Sequence, residues 1–252
     1  MGQEQQDFKF GTIDWQKAKL HLTNLNQRPF LLINKQDLNK IKSNLNKTDY
    51  KELFDKVLEV ALSNVDSATS PLAAPADVDP RLFQIGWQLL GMENILPAIG
   101  VCWHLTEDRK FIEIAIEHLN TALSWKKWSD GRHEAVDGNY NASPETASGM
   151  RAFCYAIDFL EEELQEDLVR ACKKRIALYA QRLMEISKSQ STRWAQIPND
   201  DWSCDIHSAV GMTALLLYDF DDRAIDWLEQ SIKKILEYLE CMPNDGGHPS
   251  GV

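Results

Sequence analysis

The sequence predicts an all-α protein, and three observations carry that reading. Apolar residues recur at spacings of three and four in one segment after another, no segment sustains the alternation of a strand, and the breaks hold Pro, Gly, Asn, Asp and Ser. The expected architecture is a set of antiparallel helical hairpins in which short returns alternate with longer loops. No fixed-length repeat marks a known solenoid array.

Leu38, Ile41 and Leu45 mark a first helix, and Leu53, Val57 and Ala61 a second, each with charged residues between the apolar positions. Pro71, Pro75 and Pro80 then break the pattern between Ser63 and Pro80, which reads as the clearest connecting loop. The apolar run from Leu82 to Leu105 is interrupted by Gly86, Gly91 and Pro97, so a kinked or broken pair of buried helices is expected there. Asp108 offers an N-cap to a helix whose inner face is Phe111, Ala115, Leu119 and Ala122 and which ends near Trp125. Ser143-Pro144-Glu145 has a cap residue, a proline for the first helical position and a carboxylate that suits the positive end of the dipole. That helix buries Ala147, Met150, Cys154 and Ile157 and closes at Glu161 to Glu163, and the next turns Leu168, Cys172, Ile176, Tyr179 and Leu183 inward. After a polar, aromatic loop from Ser187 to Asp201, one helix carries Val210, Leu215 and Leu216. The last has the strongest stripe of all, Ile225, Leu228, Ile232, Ile235 and Leu239.

Composition narrows the function. Among 252 residues, 27 Lys and Arg stand against 38 Asp and Glu, a formal net charge of -11, which disfavours nucleic acid as a partner. No stretch has the apolar length of a membrane span, and Met1 to Gln6 lacks the basic and apolar regions of a secretory signal. The five cysteines, Cys102, Cys154, Cys172, Cys204 and Cys241, are widely spaced without a CxxC pair, and read as small buried hydrophobes. His21, His104 and His118 have no metal-ligand spacing with Cys or acidic residues, so no metal or other cofactor is expected.

Polar and aromatic residues gather in three interhelical regions. The first runs from Trp125 and Trp128 through Arg132-His133 to Tyr140; the second from Arg193-Trp194 through Asn199-Asp200-Asp201-Trp202 to Asp205 and His207; the third is Asn244-Asp245-Gly246-Gly247-His248. Aromatic faces beside Asn, Asp, His and Arg suit a sugar, whose C–H faces stack and whose hydroxyls hydrogen-bond. Long loops of this composition often carry function, though each alone is also compatible with capped helix ends and aromatics packed on the core.

Four segments together resemble a known family. Arg28-Pro29-Phe30-Leu31-Leu32, Ser143-Pro144-Glu145-Thr146-Ala147 leading to Tyr155-Ala156-Ile157-Asp158-Phe159-Leu160, Asn199-Asp200-Asp201-Trp202, and Pro243 to Gly251 look like the N-terminal domain of the heparinase II/III-like polysaccharide lyases. The resemblance covers nearly the whole chain from Arg28. It implies an incomplete (α/α) toroid over residues 28-252, expected to be truncated before the end of the domain and before a β-sandwich of the same protein; residues 1-27 are expected to form a partly ordered N-terminal extension. It further implies a periplasmic or secreted enzyme that cleaves uronic-acid-containing glycans by β-elimination.

That chemistry requires neutralisation of the uronate carboxylate, removal of the adjacent proton by a base, and protonation of the leaving oxygen. Carried over by position, the family's Asn-Asn-Trp-like element falls on Asn199 to Trp202 and its Asp-Gly-Gly-His-like element on Asp245 to His248. The residues assigned to catalysis are therefore Asn199, His207 and His248, with His207 placed to face either cleft or core. Trp202, Asp201, Arg132, His133, Tyr140 and Trp128 are assigned to the substrate. Glu145 is read as serving its helix N-terminus. The chain departs from the family at Asp200-Asp201, where relatives have paired Asn, and at Ser250, where many have Glu. The tyrosine and the second histidine that relatives use would lie past Val252. Two rival functions follow: a toroid glycoside hydrolase of the unsaturated-uronyl type with Asp200, Asp201 or Asp205 as general acid, and a glycan-binding module without catalysis.

Overall fold

A computed structural model describes residues 28–63, 76, 79–129 and 142–242. Among the described residues all regular structure is helical: α1 (Lys35–Asn44), α2 (Thr48–Ala61), α3 (Pro80–Thr106), α4 (Lys110–Ser124), α5 (Pro144–Leu160), α6 (Glu166–Ser189), α7 (Arg193–Gln196), α8 (Asp201–Leu217) and α9 (Ala224–Glu240). The all-α expectation holds. No described helix is long and apolar enough to cross a membrane.

The ends form largely where side chains can satisfy orphan backbone groups. Asn34 Oδ1 accepts from the Asp37 N–H at 2.9 Å, and Asp79 precedes Pro80 and accepts from the Arg81 N–H at 2.9 Å. Asp108 Oδ1 takes the Lys110 N–H at 3.1 Å, as its cap role predicts, although Arg109 occupies the N-cap position itself. Ser143 departs from expectation: it sits at the N-cap of α5 but makes no capping bond, its hydroxyl lying 3.4 Å from Thr146 Oγ1.

The apolar run around Pro97 is one continuous 27-residue helix, not a broken pair. Packing explains why the proline is tolerated: α3 lies against α1, α2, α4 and α5, and Leu89, Leu96, Ile99 and Cys102 are wholly buried, which outweighs the roughly 3 kcal/mol a mid-helix proline costs. Its glycines serve proximity. A Cβ on Gly100 would collide with the Phe159 ring, and one on Gly149 would come within 2.7 Å of Trp128 and 2.8 Å of Leu89, so α3 and α5 approach along glycine-lined seams.

Cross-helix contacts fix the directions. Leu89 lies at Gly149, Glu93 pairs with Arg151, and Gly100 and His104 meet Phe159, so α3 and α5 are parallel. Asp205 pairs with Arg151, Thr213 Oγ1 lies 3.5 Å from Cys154 Sγ, and Arg28 joins Asp158 to the Leu216 carbonyl, so α8 is parallel to α5. Between these central helices α4, α6 and α9 return on one side, giving the successive hairpins α3–α4, α5–α6 and α8–α9. α5, packed between α3 and α8, is buried almost all round. The last stripe is covered only in part. Leu228 is buried, Ile225, Ile232 and Ile235 are half-buried and Leu239 is exposed, because among the described helices α9 packs chiefly on α8, with a smaller contact to α6.

One end of the central helices is tied by the chain's first described residues. The Asp158 carboxylate, wholly buried, accepts the backbone N–H groups of Phe30 at 3.0 Å and Leu31 at 2.9 Å and faces Arg28 Nη1 at 3.5 Å. Arg28 also reaches Glu161 at 2.8 Å, and Lys173 of α6 bonds the same Glu161. Two of the segments that carry the family resemblance, Arg28 to Leu32 and Tyr155 to Leu160, are thus joined.

Candidate functional site

The opposite end, at the N-termini of α5 and α8, gathers the flanks of the three loops singled out by sequence. α4 ends there at Ser124, with Trp128 wedged against Phe153 and Tyr179 at ring distances of 4.7 and 4.9 Å. Thr146 on α5 gives its hydroxyl to the Trp128 carbonyl at 2.5 Å. α6 ends there at Ser189, and the short α7 hands the Trp194 indole N–H to the Ala142 carbonyl, just before α5, at 3.2 Å. α9 arrives last, with Tyr238 in the field of Cys204 and Asp201.

Asp200 caps α8, accepting the Trp202 N–H at 3.1 Å, and its carboxylate pairs with Arg193 Nε at 2.9 Å. Burial pushes Asp200 upward, against that hydrogen bond and the Arg193 charge. Asp201 opens the helix exposed, Trp202 is half-buried, and Asn199 is half-buried in the preceding turn. These three sit together at the helix start, where the first turn's positive dipole favours an anionic group.

Two assigned residues lie inside instead. His207 is 1% exposed and bonded at both ring nitrogens, to Ser187 Oγ at 2.9 Å and to the Ser203 carbonyl at 2.6 Å. Trp128 is wholly buried, its indole N–H on the Ala122 carbonyl at 2.9 Å and Arg175 5.6 Å from its ring. In this arrangement both frame the site rather than line it, because their polar atoms and ring faces are already engaged. Arg132, His133, Tyr140 and His248 lie outside the described residues.

A further polar network near this end joins Asp205 to residues that no loop motif singles out. Arg151 projects from α5 and holds Glu93 of α3 at 2.5 and 3.1 Å, Asp205 of α8 at 2.9 Å, and the Asp205 carbonyl at 3.0 Å, so one guanidinium joins all three central helices. Burial raises the Asp205 carboxyl above its ordinary value, with Glu93 and Glu145 pushing the same way and Arg151 opposing. Asp205 still keeps 34% of its side chain open to solvent. Tyr155, one turn beyond Arg151, is half-buried and its phenol is pushed up by burial and by Glu93. The signal available was a charge set among apolar positions: Arg151 beside Met150 in the inner face of α5, and Glu93 inside the Leu82–Leu105 run.

Among the described residues no cluster of His, Cys, Asp and Glu could hold a metal ion. Cys102, Cys154, Cys172, Cys204 and Cys241 are all free thiols, the first three buried, Cys204 half-buried and Cys241 exposed. A groove of about 430 Å³ lies between α2 and α3; its lining is mostly apolar, from Leu32, Val57, Val60, Pro97, Ala98 and Val101, with Lys56 and Asn94 as its polar members. No family model matches the chain, and no curated protein matches it either.

Proposed function

We propose that the chain is the helical domain of a polysaccharide lyase-like protein acting on a uronic-acid-containing glycan. One observation carries the reading: three polar, aromatic loops far apart in sequence have their flanks at one end of three parallel central helices. Successive hairpins around parallel central helices support an incomplete (α/α) toroid, whose loop end is the natural place for a glycan cleft. A periplasmic or secreted location and a β-sandwich partner domain belong to the same proposal.

In this reading Trp202 and Tyr140 stack on sugar faces, Arg132 and His133 pair with the uronate carboxylate, and Asn199 and His248 address the carboxylate and the proton transfers. Asp201, exposed beside Asn199, hydrogen-bonds sugar hydroxyls. His207 and Trp128 keep the end of the array in shape. The product decides: β-elimination creates a C=C bond conjugated to the carboxylate, and its ultraviolet absorbance should grow with alginate-type or glycosaminoglycan-type polymers. Growth of reducing ends without that absorbance would reject the lyase, and binding without any product would leave a glycan-binding module.

A hydrolase reading has one observation of its own in its favour. Asp205 is a partly open carboxyl that burial, with Glu93 and Glu145, raises above its ordinary value against the opposing charge of Arg151, the direction a general acid requires. Under it, Asp205→Asn should lower turnover of an unsaturated-uronyl disaccharide by about 100-fold or more without changing KM by more than a few-fold.

A further inference from the structure

The central helices have a second face, turned away from α6. On α5, Phe153 meets Trp128 and through it Tyr179 of α6; on α8, His207 bonds Ser187 of α6. A position two residues along lies about 160° round the helix. Arg151 and Tyr155 of α5 and Asp205 of α8 therefore stand on the far side of their helices from α6, and Glu93 of α3 meets Arg151 there.

Every N–H of Arg151 on this face is committed. Nε and Nη2 donate to the two Glu93 oxygens, Nη2 also to Ser148 Oγ at 3.2 Å, and Nη1 to the Asp205 carboxylate and carbonyl at 2.9 and 3.0 Å. The guanidinium has no donor left for an incoming carboxylate, and with Glu93 and Asp205 ionised the group of three is net negative. What remains open are acceptors and hydroxyls. Asp205 uses one carboxylate oxygen on Arg151 and keeps 34% of its side chain exposed. The Tyr155 phenol, one turn along from Arg151, is half-buried and has no hydrogen-bond partner among the described residues. Ser208, half-buried beside Arg151, donates to the Asp205 carbonyl at 2.7 Å. Such groups exchange hydrogen bonds with sugar hydroxyls and repel a carboxylate.

We propose that this face is a subsite for an uncharged sugar ring adjoining the uronate, with Asp205 and Tyr155 holding its hydroxyl groups. The proposal rests on the uronic-acid glycan reading and narrows it: the glycan alternates uronate with a neutral sugar and is not a run of uronates. The placement suits neighbouring rings, since Asp205 lies one turn into α8 from Asp201, about 6 Å along the axis.

Fluorine NMR of the chain labelled with fluorotryptophan and fluorotyrosine tests this with two probes. One is an unsulfated chondroitin tetrasaccharide, in which uronate alternates with an uncharged N-acetylhexosamine; the other is an alginate tetrasaccharide, made of uronates alone. The Trp202 and Tyr155 signals are identified by their loss in Trp202→Phe and Tyr155→Phe, and Tyr218 at the other end of α8 is the control. The chondroitin probe should shift Trp202 and Tyr155 together and leave Tyr218 unmoved. Tyr155→Phe should weaken its binding by about 3- to 10-fold, the loss of one hydrogen bond, without changing alginate binding. Asp205→Asn should weaken chondroitin and tighten alginate, because one repelling carboxylate is gone; Tyr155→Phe serves if that variant does not fold. A Trp202 shift with Tyr155 silent, or an equal loss for both probes in Tyr155→Phe, would overturn the subsite and leave the glycan reading in place. Silence of both signals with both probes would overturn that reading, and the subsite with it.

Discussion

Asp158→Ala is expected to destabilise the protein by about 3 kcal/mol, read as a lowered urea midpoint at unchanged slope. The carboxylate is wholly buried at the C-terminal end of α5 and accepts the Phe30 and Leu31 backbone N–H groups. Without it two donors lose their acceptor, and the Arg28 guanidinium, 18% exposed, is left with Glu161, the Leu216 carbonyl and the Phe30 ring among the described residues. Asparagine should recover little, because one of its two terminal groups is itself a donor facing donors. A loss below about 1 kcal/mol would mean that the Arg28–Leu32 segment contributes little to holding the central helices.

Arg151→Met should cost about 2 to 3 kcal/mol at pH 7, and the loss should shrink on acidification. The side chain is a cation shared by Glu93 and Asp205, and removing it leaves two partly buried carboxylates in mutual repulsion. Their partial exposure, 25% and 34%, screens the repulsion and keeps the effect below that of a fully buried pair. The sign follows from the proton count. Burial and Glu93 already raise the Asp205 carboxyl and Arg151 opposes them, so without Arg151 it rises further above its unfolded value; the folded variant binds more protons and gains stability as pH falls from 7 toward 4. Arg151→Lys should recover part of the loss, since a point charge cannot make the two-pronged contact to Glu93 while also holding Asp205. Urea titrations of the three proteins at pH 7 and pH 5 check both magnitude and sign.

Helix existence was legible because an amphipathic stripe records its own burial. The inner faces read for α4, α5 and α6 are buried at nearly every named position, Leu168 being half-buried. Periodicity does not say which helix lies opposite. The pattern could not show that Pro97 sits in one unbroken helix, since that depends on the four helices packed around it. Nor could it show that Arg151 and Glu93, a charge apiece in apolar runs, meet across parallel helices. The same limit governs the site. Asn199, Asp201 and Trp202 are adjacent in sequence and share a helix start, so their grouping was readable. His207 follows them by little more than a turn, but its side chain turns toward α6 because Ser187 and Trp194 lie there, and nothing in its neighbours' identities announces that. Trp128 was likewise read from loop composition, whereas the glycine at position 149 leaves room for its indole against α5.

The claim at the centre of this account is that the end of the array at the N-termini of α5 and α8 receives an acidic glycan. Titrating the fluorotryptophan-labelled chain with defined uronate oligosaccharides addresses it directly, with Trp202 identified by its loss in Trp202→Phe and Trp103, in the last turn of α3 at the opposite end, as the internal control. The predicted result is a saturable shift of the Trp202 signal that leaves Trp103 unmoved and weakens with salt, as binding of an anion should. An unchanged Trp202 signal at millimolar oligosaccharide, or a shift of Trp103 in its place, would contradict the account.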